Sequence, residues 1–280
     1  MDTGGQQTSW NLPPTGMAGM SLMKICRSVS LTDTGQTVSQ ILHWNFWNSI
    51  REKSRFFMTI SHIEPHHQND RGCYEGPEGS KERFKDFELP GDLAALHGDA
   101  REMYPDYLGC CRSLDDNLGR LIEKLKEKGI YKDTIIIYSS DHGSHFRTRN
   151  RDEHLCGGDD YKRSCHSACL HVPLVIAGPG FKGGKRVREL VSTAGLPKTI
   201  LAAAGVDVGH AMAGENLKEI ADGNLRNHTD RVFAQISESR VGRCIHTRDW
   251  LYSIHAPGLD GNLYPSSDYY EEDFLYDLKN

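Results

Sequence analysis

Thr134-Ile135-Ile136-Ile137-Tyr138-Ser139-Ser140-Asp141-His142-Gly143 decides which fold the chain can adopt. Its first five residues are a continuous apolar run, the pattern of a strand buried on both faces. The run stops abruptly in two serines, a carboxylate, an imidazole and a glycine. Ligands of open α/β sheets sit beyond the carboxyl ends of the strands, so charged and metal-ligating groups fall where such a fold would use them. A turn breaks the side-chain alternation of the strand, which lets Asp141 and His142 face one ion. A helix cap by Asp141 and a surface histidine is the plainer alternative. The buried strand before the pair and Gly143 after it favour a site.

Working outward, residues 106–129 carry Leu114, Leu118, Leu121, Ile122 and Leu125 as one apolar stripe, a helix stopped by Gly129. Residues 172–176 are a second apolar strand, closed by Gly178-Pro179-Gly180, and 196–204 a short helix with Pro197 at its start. Upstream, Val38, Ile41, Leu42, Phe46 and Ile50 have helical spacing over 37–53, and 56–60 is a buried strand. A polar loop follows with His62, Glu64, His66 and His67. Residues 71–103 and 144–161 are long irregular stretches, a length that usually serves function. This alternation predicts an α/β fold, a mainly parallel sheet sandwiched by helices. From about residue 231 short strands at 232–236, 243–247, 251–254 and 274–276 predict a small C-terminal antiparallel sheet. The expected organisation is a poorly ordered start at 1–36, an α/β domain at 37–230 and the antiparallel subdomain at 231–280.

Composition narrows the functional classes. With 38% hydrophobic and 25% charged residues in 280, the chain can build a sizeable core. A net charge of −5 speaks against a nucleic-acid partner, which needs a basic face. No apolar run approaches the ~18 residues of a membrane span, and residues 1–20 lack the basic and apolar regions of a signal peptide. A cytoplasmic chain without a membrane partner is the expectation. Eight cysteines include no C-x-x-C pair, so the expectation is free thiols in a reducing compartment.

Several of these stretches together resemble the sulfatase family of the alkaline-phosphatase superfamily. Ser139 to Gly143, then Lys162, then His171-Val172-Pro173-Leu174-Val175-Ile176 with Gly178-Pro179-Gly180, is similar to that family's strand ending in S-D-H-G, its lysine and its V-P-L strand with a G-P-G turn. The strand 56–60 with Pro65-His66 resembles its P-F-F strand and P-H motif. Leu196-Pro197-Lys198 with Ala204-Gly205, and Leu275-Tyr276-Asp277-Leu278, match its later helix and its L-Y-D-L stretch. The resemblance implies that Asp141 and His142 bind a divalent metal. Calcium is the family's usual ion, and a histidine ligand leaves manganese or zinc open. It implies that His66 acts catalytically and Lys162 binds substrate, both at the sulfate or the departing oxygen. His166, where many members carry an aromatic-acidic pair, would be a further substrate contact. The implied partner is a sulfated small molecule or carbohydrate. A phosphate or phosphonate ester hydrolase of the same superfamily, or a non-catalytic binding protein on this fold, are the alternatives.

The chain departs from the family in two respects that bear on activity. Sulfatases make a formylglycine nucleophile from Cys or Ser in a C/S-x-P-S-R motif, and no Cys or Ser stands two residues before any of the 11 prolines. The first sixty residues hold only two aspartates, Asp2 and Asp33, where the family's metal site opens with an acidic pair. The expectation is a fragment that carries part of a site, with Asp141 turned to Lys162 in place of a strongly held cation.

Overall fold

The computed structural model describes residues 26–31, 47, 50, 55–68, 71–148, 161–181, 183–207 and 212–279. They fall into two compact units, Met1–Ile63 and Glu64–Asn280. The boundary expected at 230/231 lies inside the second unit.

In the first unit β1 (Cys26–Leu31) and β2 (Phe57–His62) pair in parallel, Cys26 opposite Phe57 and Leu31 opposite His62. The start expected to be irregular thus contains a strand, and the rest of 1–36 lies outside the described residues. Within the helix expected at 37–53 only Trp47, which is helical and buried, and Ile50 are described.

The second unit opens with two short helices, α1 (Ser80–Phe84) and α2 (Gly91–Ala94), and the long α3 (Ala100–Glu127). α3 begins six residues before the expected start, with Pro105 inside it. Proline reads as a helix start because it lacks an N–H. Here tertiary packing outweighs that lost bond: Ala100, Met103, Tyr104 and Tyr107 pack with Tyr74, Leu93 and Phe146. The expected stop holds, with Gly129 at φ 70° as the left-handed residue that ends the helix.

β3 (Ile136–Ser139) and β4 (Leu174–Ala177) pair antiparallel, Ile136 opposite Ala177 and Ser139 opposite Leu174. A parallel pair was expected. A continuous apolar run reports burial, not the direction of the neighbouring strand, and the chain between these two passes through α4 (Ser167–Leu170) before returning. Among the described residues β1 with β2 is the parallel pair. After α5 (Leu196–Ala203) and α6 (Leu217–Ala221) come β5 (Arg231–Ile236), β6 (Gly242–Thr247), β7 (Trp250–His255) and β8 (Glu271–Asp277), an antiparallel sheet in sequence order, as expected from the short strands. Side chains two apart share a face. Leu251 and Cys244, with Ala234, Ile236, Phe274 and Tyr276, close over Cys165 of the α/β part as a second core. Among the described residues no helix is long and apolar enough to cross a membrane.

Two glycines of α3 give a direct test of this packing. A Cβ on Gly109 would lie 2.1 Å from Ser80 Oγ and 2.5 Å from its Cβ, whereas a Cβ on Gly119 meets nothing within 4 Å. Gly109→Ala is expected to lower stability by about 1–3 kcal/mol, and Gly119→Ala to raise it by about 0.5–1 kcal/mol through helix propensity. Urea-unfolding midpoints of the two variants should move in opposite directions.

Candidate functional site

The turn after β3 is fixed by short hydrogen bonds. Ser140 Oγ donates to the His142 carbonyl at 2.8 Å, and the His142 N–H donates to Asp141 Oδ1 at 3.0 Å. His142 Nδ1 lies 2.9 Å from the Gly143 carbonyl oxygen, and its Nε2 lies 3.6 Å from Asp141 Oδ2. The Asp141 side chain is 86% exposed. Gly143 is demanded by α4: its N–H donates to the Cys169 carbonyl at 2.8 Å, and a Cβ there would stand 2.0 Å from the Ala168 carbonyl oxygen.

A second register follows. The His145 N–H donates to the Tyr161 carbonyl at 2.9 Å, and His145 is fully buried. Tyr161 in turn donates its hydroxyl to Asp99 Oδ2 at 3.1 Å, carries the Arg147 guanidinium over its ring at 4.7 Å, and stacks on His67 with ring centroids 3.7 Å apart. Tyr74 meets His67 edge-on at 5.2 Å and shares a 2.6 Å hydrogen bond with Ser144. The residues next in sequence to the stacked pair are Lys162 and His66. Stacking Tyr161 on His67 therefore brings these two together, and Lys162 Nζ lies 3.0 Å from His66 Nε2. The His66 ring stands edge-on to that of His142, with centroids 6.4 Å apart.

Burial, and then the charge of Lys162, hold His66 below the ordinary histidine pKa. It is the neutral ring, an acceptor at Nε2, that faces the ammonium. Glu238 lies on the far side, from the loop between β5 and β6. Its carboxyl is held below the usual carboxylate range first by Arg163, then by the charges of Lys162 and His142. The sequence placed His66, Lys162, Asp141 and His142 in one neighbourhood, and the structure brings His66 to Lys162 and His142. Asp141 does not turn to Lys162 as expected: its described partner is His142, while Lys162 is given to His66. The His166 ring stacks on Phe274 at 4.3 Å and lies 5.7 Å from Tyr276, facing the C-terminal sheet. Sequence reasoning missed Tyr161, Asp99 and Glu238. An aromatic beside the lysine was the only trace of the first, and nothing local marks a glutamate in a distant turn.

Among the described residues no three His, Cys, Asp or Glu side chains gather as a metal shell. A hard divalent cation takes about six to eight oxygen ligands. One exposed carboxylate and one imidazole whose Nδ1 is turned to a carbonyl fall short of that, so the described residues do not by themselves fit the metal that the sequence resemblance implies.

This is the architecture of an alkaline-phosphatase-like α/β protein, with a site where a strand-end turn meets the loop before the next strand. The chain belongs to the sulfatase family, whose family model, Sulfatase, matches residues 8–206. It is similar to arylsulfatase K of Homo sapiens, 28% identical over 162 residues, a match that covers 54% of this chain and 29% of that protein. The chain thus spans less than a third of that relative's length. Among solved structures it is similar to BT4656 in complex with its substrate D-glucosamine-2-N,6-O-disulfate, with a TM-score of 0.62, 18% identity, and coverage of 88% of this chain and 63% of that one. It is also similar to the phosphonate monoester hydrolase of Silicibacter pomeroyi, with a TM-score of 0.60, 18% identity, and coverage of 89% and 54%. At these identities the structures speak for the fold alone.

The His66–Lys162 contact has a measurable sign. In the folded protein His66 should titrate below 6.5, because both burial and Lys162 oppose its protonation. Lys162→Met should move the midpoint upward but leave it below 6.5, since burial is the larger cause. Following the His66 ring signals by NMR across pH 4–8 checks both, and a wild-type midpoint above 6.5 would contradict the geometry. Between the depressed folded value and 6.5 the unfolded chain binds more protons, so His66 lowers stability as pH falls through that window.

Proposed function

We propose that His66, Lys162 and the Asp141–His142 turn are the anion-facing part of a sulfuric ester hydrolase site that takes a sulfated small molecule or carbohydrate. The observation that carries this is the 3.0 Å contact of Lys162 Nζ with His66 Nε2. Lys162 supplies one positive charge and His66, held neutral, supplies none, so the pair complements a monoanion. A sulfate monoester carries a single charge at neutral pH. In a complete site an attacking oxygen nucleophile forms a new S–O bond as the ester S–O bond breaks, and the negative charge that grows on the departing oxygen would be stabilised by the Lys162 ammonium. Binding the anion raises the His66 pKa, so the ring can take up a proton and deliver it to that oxygen as it leaves. His166 enters the proposal from behind the site, through its stack on the C-terminal sheet.

A second reading is favoured by the similarity to a phosphonate monoester hydrolase, because a phosphonate monoester is also a monoanion. A phosphate monoester, largely dianionic at pH 7, matches the pair less well. The third reading, an anion-binding protein without catalysis, rests on the sequence, which has no Cys or Ser two residues before a proline. The metal the first reading names is calcium, with manganese or zinc as alternatives; Asp141 and His142 would give it one ligand each, too few to hold it by themselves. No step depends on it here.

Because no Cys or Ser of this sequence stands two residues before a proline to become the attacking nucleophile, the chain is expected to bind sulfate esters without turning them over. Purified chain given a chromogenic aryl sulfate should release phenol no faster than buffer, and formylglycine-like rates would sink the inactive-site reading. Binding of methyl sulfate, a monoanionic sulfate ester, measured by calorimetry, should weaken by about 10- to 100-fold in Lys162→Ala, the scale of a lost charge-assisted hydrogen bond. Calcium titration should show at best weak binding, lost in Asp141→Ala. Tight binding that survives Asp141→Ala would place the metal elsewhere.

A further inference from the structure

Cys165 and Cys244 come from parts of the second unit far apart in sequence, and their side chains meet. Cys165 lies three residues after Lys162 and one before His166. Cys244 sits in β6, paired with Ala234 of β5 and Ser253 of β7. Both thiols are free, they are 1% and 6% exposed, and with Leu251 they form one buried cluster. Ser253, the residue of β7 opposite Cys244, is buried beside them at 1% exposure. Ser253 Oγ donates to Asp273 Oδ2 at 3.2 Å, and Asp273 is ion-paired with Arg240. The register shift between β7 and β8 at Ser253/Ile254 is the kind of irregularity that re-aims a side chain, here Asp273 toward this cluster. The third buried thiol nearby, Cys169, is turned elsewhere. It donates to the Tyr161 carbonyl at 3.6 Å and accepts from Ser164 Oγ at 3.4 Å.

We propose that Cys165 and Cys244 are a redox modification site, a thiol pair that closes to a disulfide when a small peroxide enters and so ties the segment carrying Lys162 and His166 to the C-terminal sheet. Burial selects the oxidant: hydrogen peroxide is small and uncharged, whereas a bulky disulfide would have to unpack the core. Packed together in one buried cluster, the two thiols shift in opposite directions, Cys244 below and Cys165 above the ordinary thiol range, so Cys244 is the one that ionises first and acts as the nucleophile. Its thiolate attacks one peroxide oxygen, the O–O bond breaks and hydroxide leaves, giving a sulfenic acid. The Cys165 sulfur then attacks the sulfenic sulfur. The S–S bond forms, the S–O bond breaks, and the departing hydroxide takes the Cys165 proton as water. The proton released when Cys244 ionised neutralises the first hydroxide. Two thiols are oxidised by two electrons, and one peroxide is reduced to two waters.

The test uses the full chain, folded and reduced. It is exposed to hydrogen peroxide, alkylated and mapped by mass spectrometry without reduction. The expected product is a Cys165–Cys244 linked peptide, lighter by two hydrogens than its parts and released by dithiothreitol. Oxidised protein should melt higher by roughly 5–15 °C, as closing a long loop implies, and reductant should reverse the gain. Cys244→Ser should abolish the link and leave Cys165 without a partner. If that variant does not fold, the wild-type map decides alone. A Cys165–Cys169 link in the native protein would overturn the proposal. So would unlinked Cys165 and Cys244 in protein whose near-UV circular dichroism is intact, or a link that forms only in urea.

Discussion

The close approach of Gly143 to α4 is the constraint from which the rest of the site follows. A backbone N–H reaching a carbonyl at 2.8 Å, with no room for a Cβ beside Ala168, docks the strand-end turn directly on the helix that follows the Lys162 segment. The contact is backbone to backbone, so side-chain motion cannot relax it, and any residue other than glycine would push the turn and α4 apart. Two residues later the His145 N–H meets the Tyr161 carbonyl. The segments 143–146 and 161–169 are thereby joined at two points, and the position of Lys162 relative to His142 is set by main chain.

What the main chain sets, the aromatic cluster holds. His67, Tyr74, Tyr161 and Phe146 are all nearly buried, and their rings meet in stacked and edge-on pairs. Such pairs contribute about 0.5–1.5 kcal/mol each beyond the area they bury. The two tyrosine hydroxyls among them are matched, Tyr74 to Ser144 and Tyr161 to Asp99, which avoids for each the cost of about 1–3 kcal/mol of a buried unsatisfied group. The His66–Lys162 contact joins a neutral ring to a half-buried cation. It persists because His67 and Tyr161, one residue away on each strand of the contact, stack in the core.

The sequence read the buried parts of this arrangement better than its directions. The apolar runs at 134–138 and 172–176 marked β3 and β4 because burial is written in composition, but the antiparallel pairing of Ile136 with Ala177 depends on how the chain returns through α4. The stripe from Leu114 to Leu125 marked α3, and Gly129 its end, because both are local. Its start was misread at Pro105, since the packing of Ala100 and Tyr104 against Phe146 is not local. That His66 and His142 lie near one another was legible from their places at strand ends, and the nearness of Lys162 only from the family pattern. The partner chosen by Lys162 was not legible, because a cation reads in sequence as a match for the nearest carboxylate. In the structure Asp141 is exposed to water that already solvates it, and the stack next to His66 brings the imidazole closer.

The C-terminal sheet closes the remaining side of the Lys162 segment, and its grip is of two kinds. At the surface Arg163 pairs with Glu238, and Ser239 Oγ donates to the Arg163 carbonyl at 3.1 Å. An exposed ion pair of this sort contributes about 0–1 kcal/mol, too little to hold a loop. Yet Glu238 adopts φ 73°, a left-handed conformation that costs a residue with a Cβ of order 1–3 kcal/mol. The strain is sustained by Gly261, whose carbonyl accepts the Glu238 N–H at 2.9 Å and whose missing Cβ would fall 2.8 Å from the Glu238 backbone. The hairpin turn is therefore built to present this carboxylate toward Arg163, Lys162 and His142 at a cost that the ion pair alone does not offset. The stronger grip lies beneath it, where His166 stacks on Phe274 and Cys165 is buried against Cys244 and Leu251. With apolar burial worth about 25 cal/mol per Å², it is this inner contact that fixes the segment, leaving Glu238 free to shape the electrostatics around Lys162.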